Sequence, residues 1–144
     1  MTPRTLPQAL AVAALAVSLW APPAHAADTL FADLGGLLVI RQTVHDFMAN
    51  MLADARIRHT FEHSNLKRVE DMLVEQFCML SGGPCTYTGD PMKEVHQGLK
   101  LTNADFNALV EDLQQAMDKN GIPFRTQNRL LALLAPMQRD TVTR

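Results

Sequence analysis

The sequence predicts an all-α protein. Three observations carry that prediction: apolar residues recur at three- and four-residue spacing, no stretch alternates apolar and polar positions with β-branched enrichment, and capping residues, glycines and prolines bound the periodic stretches. In chain order, Asp28 to Leu34 reads as a short opening helix that Gly35-Gly36 separates from the next. The second helix carries the stripe Ile40, Val44, Phe47/Met48, Met51/Leu52. The third carries Leu66, Val69, Met72/Leu73, Phe77 and Leu80, with Lys67, Arg68, Glu70, Asp71 and Glu75 expected on the opposite side, and stops at Gly82-Gly83-Pro84. Asp90-Pro91 opens a short helix as a cap followed by a first-turn proline. Thr102 to Asp105 caps a long helix with the stripe Phe106, Leu109/Val110, Leu113, Met117, which Asn120-Gly121 closes in a left-handed turn. Pro123 suits the first turn of a last helix holding Leu130/Leu131, Leu133/Leu134 and Met137.

The first 26 residues differ from the rest in composition. Arg4 precedes an apolar run from Ala9 to Trp20, then Pro22-Pro23 and the small-x-small sequence Ala24-His25-Ala26. That order of a positive end, a short apolar run and a small-residue site predicts a secretory signal peptide cleaved after Ala26. The run is shorter than the roughly 20 apolar residues a bilayer-spanning helix needs, so no stable membrane anchor is expected after cleavage. The domain expectation is therefore a signal peptide over 1–26 and one folded domain over 27–144 in the periplasm or outside the cell. Arg4 leaves with the leader, so the net charge moves from −2 to −3. A nearly neutral chain offers no electrostatic footprint for nucleic acid. In an oxidising compartment Cys78 and Cys85 are free to pair, and a pair seven residues apart staples one local loop at most.

No Ser/His/Asp, P-loop, dinucleotide or tandem CxxC signature is present, which leaves the histidines as the chemical suspects. His25 lies in the leader. His45 reads as a surface position. His59 and His63 are four apart but lack a third ligand at fitting spacing, so a zinc site is not expected there. His96 shares a face with Met92 on the short helix, and taken alone it reads equally as an ordinary core or surface histidine. Seven methionines beyond Met1, with few aromatics, suit a core shaped around something large that the chain does not supply.

A set of segments then carries a resemblance. Leu30-Phe31-Ala32-Asp33-Leu34-Gly35-Gly36, Asp46-Phe47, Phe61, Gly82-Gly83-Pro84 with Tyr87-Thr88-Gly89, the run Pro91-Met92-Lys93-Glu94-Val95-His96-Gln97-Gly98, Phe106 and Leu133-Leu134-Ala135-Pro136 together resemble the group 1 truncated haemoglobins, over about residues 28–140. The resemblance implies a two-over-two helical sandwich around haem b, with His96 as proximal iron ligand and Phe61 packed on the porphyrin. Phe47, Phe77, Leu80 and Met92 are expected as pocket walls, and Lys93 as a partner for a haem propionate. Cys78 lies about 140° around its helix from Leu73, so it should point away from the haem toward Cys85, and a disulfide is expected, with two buried thiols as the alternative.

The departures from that family bear on function. Where many members place a tyrosine in the second helix this chain has Met48, and the distal positions hold Val69 and Leu73, with Gln76 the nearest polar side chain. Distal hydrogen-bond donors are what retain oxygen at haem, so tight oxygen binding loses its usual cause. The leading expectation is reversible binding of a diatomic gas (oxygen, NO or CO) at an open apolar site. The alternative is a redox haem protein in which Met48 or Met72 becomes the sixth ligand. NO dioxygenation or peroxidase-like turnover would need an external electron donor and a distal acid/base that the chain does not display. A cofactor-free helical binding module is the remaining class, and a colourless folded protein would identify it.

Overall fold

The computed structural model describes residues 29–143, so the expected signal peptide and Asp28 lie outside the described residues. Helix α1 (Leu30–Asp33) is one turn long and starts at Thr29, whose hydroxyl accepts the Ala32 N–H. It is held on the domain from outside, because the Phe31 N–H donates to the Ser81 carbonyl at 2.8 Å. Helix α2 (Gly36–Ala53) follows a left-handed Gly35 at φ 90°, where a β-carbon would also sit 2.6 Å from Val39 Cγ2. Both conditions restrict that turn to glycine. A short 3₁₀ turn (Arg58–Phe61) then leads to α3 (Leu66–Leu80), capped by the Asn65 side chain on the Arg68 N–H.

Helix α4 (Met92–Val95) is a single turn. Pro91 stands just outside it with ψ 147°, and Asp90 supplies no side-chain cap. Helix α5 (Asn103–Lys119) starts in a reciprocal capping box between Thr102 and Asp105. It ends as the sequence predicts: Gly121 is left-handed, and the Ile122 N–H returns to the Met117 carbonyl. Helix α6 (Phe124–Leu134) begins one residue after Pro123, which sits at the cap with ψ 142° and not in the first turn. The last periodic stretch does not continue to Met137 as one helix. Pro136 brings a ring without an N–H, and the chain passes through a 3₁₀ turn (Ala135–Met137) into α7 (Gln138–Thr141).

The described residues contain helices and turns, with no strand. Helix α2 packs against α3 on one side and α5 on the other, and α6 packs on α5, α1 and α3. The result is the two-over-two sandwich of the sequence-based expectation. Its core joins Val44, Phe47 and Met51 of α2, Val74, Phe77 and Cys78 of α3, Ala108, Leu113 and Met117 of α5, and Leu130 of α6. Phe47 and Phe77 stack with ring centroids 6.4 Å apart.

Two polar devices lock these helices. Asp46, buried on α2, accepts from Lys119 Nζ (2.7 Å) and Asn120 Nδ2 (2.8 Å) at the end of α5, and these donors hold its carboxyl below the usual aspartate range. Cys78 and Cys85 come together with Cα atoms 5.7 Å apart, a spacing a disulfide spans, which brings the end of α3 against the segment leading to α4. Gly83 lies inside that clamp. A β-carbon there would stand 2.6 Å from Phe31 Cε2 and 2.7 Å from Cys78 Sγ.

Candidate functional site

A cavity of about 320 Å³, within the roughly 300–1,000 Å³ typical of small-molecule and cofactor sites, opens between α3, α4 and α5. Helix α3 contributes Val69, Met72, Leu73 and Gln76, residues that 3.6-fold periodicity places on one face. Helix α4 and its continuation contribute Met92, Val95, His96 and Leu99 at the same spacing. Phe61 enters from the 3₁₀ turn, Phe106 and Leu109 from α5, and Thr141 from α7. The walls are mostly apolar, and the polar liners include Ser64, Asn65 and Arg68 at the start of α3, Tyr87 and Asp90 in the loop before α4, and Asp105 of α5. Burial, followed by the charge of Asp90, raises the Tyr87 phenol above its ordinary pKa. Its hydroxyl donates to the Asp90 carbonyl at 2.8 Å.

His96 closes α4 and is half-buried. Its Nδ1 lies 2.7 Å from the Met92 carbonyl, an acceptor only, so Nδ1 carries the proton and donates. In the neutral ring Nε2 is then the acceptor nitrogen, with no protein partner among the described residues. An imidazole in that state at an apolar cavity wall is the donor set that haem iron takes from a proximal histidine. An apolar cavity with one oriented imidazole and Arg68 among its polar liners fits haem b.

Seven of the twelve expected site residues come together here: Phe61, Val69, Met72, Leu73, Gln76, Met92 and His96. Five do not line the cavity. Phe47 and Phe77 face each other in the core between α2 and α3, and Met48 is buried without reaching the cavity. Leu80 shares the direction of Leu73 but lies seven residues on, about 10 Å along the axis and past the cavity's end. Lys93 is exposed on the outer side of α4. Arg68 was expected among the outward charges but lines the cavity, because it stands one turn before Met72. That spacing was the available signal for it. Leu99 continues the Met92, Val95, His96 spacing, whereas Tyr87, Leu101 and Thr141 carried no periodic signal, since loops and tertiary closure bring them in.

The remaining histidines lie elsewhere. His45 is exposed, with Nδ1 3.2 Å from Glu70. His59 and His63 are exposed, in and just after the 3₁₀ turn and not on one helical face, and no group of three possible metal ligands forms among the described residues.

A two-layer helical sandwich whose cleft presents a single oriented histidine defines a globin-type protein. Comparison with known proteins agrees. Residues 29–143 match the profile of the family described as bacterial-like globin. The group 1 truncated haemoglobin of Mycolicibacterium paratuberculosis is 32% identical over 115 residues, covering 80% of this chain and 85% of that protein. The Tetrahymena thermophila group 1 protein is 34% identical over 94 residues, covering 65% and 78%. Among solved structures, the truncated haemoglobin of Tetrahymena pyriformis in its Fe(III) form superposes with a TM-score of 0.77 at 28% identity, over 81% of this chain and 99% of that one. The chain belongs to the bacterial-like globins, and within them to the group 1 truncated haemoglobins.

Proposed function

We propose that this chain is an exported haem b protein that binds a diatomic gas reversibly at an apolar distal face. The observation that carries the reading is His96: its Nδ1 is committed to the Met92 carbonyl, and its other ring nitrogen is free beside an apolar cavity of cofactor size. Haem held by His96 would supply an iron able to bind a diatomic gas. The protein residues do the rest. Phe61, Met92 and Phe106 would hold the group in the apolar cavity and exclude water, while Arg68 would offer its guanidinium to carboxylates.

Ligand preference follows from the α3 face. Val69 and Leu73 offer no hydrogen-bond donor, and the Gln76 amide is turned to the Met92 and Met137 sulfurs. Oxygen, which needs a donor to be retained, is then held weakly relative to CO, which does not. A second reading, Met72 as sixth ligand in a redox protein served by an external electron donor, is favoured over the same role for Met48 because Met72 alone of the two lines the cavity. The absorption spectrum of the reduced protein separates the two: five-coordinate ferrous haem supports the gas site, and low-spin six-coordinate haem supports Met72.

The decisive variant is His96→Ala, which should abolish stoichiometric haem binding or leave haem loosely held. An unchanged iron spectrum in that variant would exclude His96 as ligand. N-terminal sequencing of protein recovered from the periplasm or medium tests cleavage after Ala26, and intact mass before and after alkylation tests the Cys78–Cys85 bond.

A further inference from the structure

Gln76 is 6% exposed, and its amide nitrogen lies 3.4 Å from Met92 Sδ and 3.6 Å from Met137 Sδ. Thioether sulfur is a weak acceptor, and burying an amide that makes only weak bonds costs roughly 1–3 kcal/mol. A leucine or methionine would fill the same space without that cost. The amide does, however, reach three elements at once: α3, which carries it, α4 through Met92, and the 3₁₀ turn before α7 through Met137.

Helix α4 needs such a tether. One helical turn has no stability of its own. The chain beyond it runs through left-handed conformations at Gly98 and at Lys100 (φ 56°), a positive φ that a side-chain-bearing residue adopts uncommonly. Among the described residues, no other side chain of α4 is hydrogen-bonded from a different element. Met92 is also the residue whose carbonyl accepts both the backbone N–H of His96 (3.2 Å) and its ring Nδ1–H (2.7 Å).

We infer that Gln76 is a positioning residue for His96: by holding the Met92 side chain it fixes the Met92 carbonyl, and that carbonyl fixes the rotation and tautomer of the imidazole. The contact thus links α3 to the residue whose carbonyl holds the His96 ring. The inference borrows from the proposed function only the consequence for haem. The geometry itself belongs to the polypeptide.

The test is Gln76→Leu, close in volume and apolar. Nitrogen-15 NMR of the haem-free protein, at a pH where the ring is neutral, should show the Nδ1–H tautomer of His96 predominant in the parent chain. That predominance should be lost in the variant, while α-helical circular dichroism stays unchanged. Changes to the partners of a metal-bound histidine cost about 10- to 100-fold in affinity, and Gln76 acts one link further out, so haem transfer to an acceptor globin should quicken roughly threefold to tenfold. The iron–histidine stretching band of the reduced protein should shift or broaden, which a purely structural role would not produce. Met92→Leu, which removes the sulfur and keeps the carbonyl, should reproduce the tautomer change and serves if Gln76→Leu does not fold. Parent-like His96 ring shifts in the variant that folds would overturn the inference. Failure of the parent chain to take up haem would refute the proposed function and leave this result standing.

Discussion

Opening the link between Cys78 and Cys85 should lower the stability of the domain by an amount that loop length predicts. The two residues are seven apart, and the chain-entropy relation for a closed loop of that size gives about 2.4 kcal/mol at 25 °C. Reduction leaves both sulfurs in place and removes only the cross-link, so reduced parent protein should lose about that much. The double variant Cys78→Ala/Cys85→Ala also empties the site of a sulfur that is 0% exposed, which adds about 1 kcal/mol. For a domain of this size the cross-link alone corresponds to a fall in Tm of roughly 10 °C. Urea unfolding of oxidised parent, parent with a phosphine reductant and the double variant gives the three values in one experiment. The expected order is oxidised, reduced, double variant. Oxidised and reduced protein unfolding within about 0.5 kcal/mol of each other would refute the assignment of a stabilising bond.

Two further outcomes follow from the packing and from the buried charges. Gly83→Ala places a β-carbon against the Phe31 ring and Cys78 Sγ, so thermal unfolding should show a loss of about 1–3 kcal/mol, and a neutral effect would contradict the tight approach of α1 to the α3 clamp. Asp112 is 4% exposed, its Oδ2 has no partner, and burial followed by the Asp54 charge raises its pKa. The folded state therefore keeps this proton after the unfolded chain has lost it, and stability falls as pH rises from the ordinary aspartate pKa to the raised value, then levels. Asp112→Asn cannot ionise, so its stability relative to the parent should climb through that window, and urea midpoints that run parallel in both proteins would exclude the effect.

Much of the architecture was legible because it rests on local rules. The Thr102 to Asp105 box and the Asn120-Gly121 stop are short-range chemistry, and both stand where the sequence places them. The prolines were misplaced by one position because a proline is equally compatible with the cap and with the first turn, and tertiary packing decides. The stripe of α3 was legible as apolar but not as two surfaces. Val69, Leu73 and Gln76 turn to the cavity while Val74, Phe77 and Cys78 turn to α2 and the core, a division that depends on neighbours on both sides. The family resemblance placed Met48 and Phe47 at the site, and both are buried on α2 without lining the cavity. The tether at Gln76 was out of reach for a different reason: Met92 and Met137 lie 16 and 61 residues away in sequence.

The closure of the cavity by the end of the chain has a consequence for biogenesis. Thr141 lines the cavity, and the Thr143 N–H donates to the Leu101 carbonyl at 2.9 Å, beside the turn that follows His96. The binding chamber is thus completed by residues about 45 positions beyond His96, and a nascent chain short of them presents His96 on an unfinished wall. Were the chain to cross a membrane unfolded, the porphyrin would be acquired on the far side, from a source in that compartment.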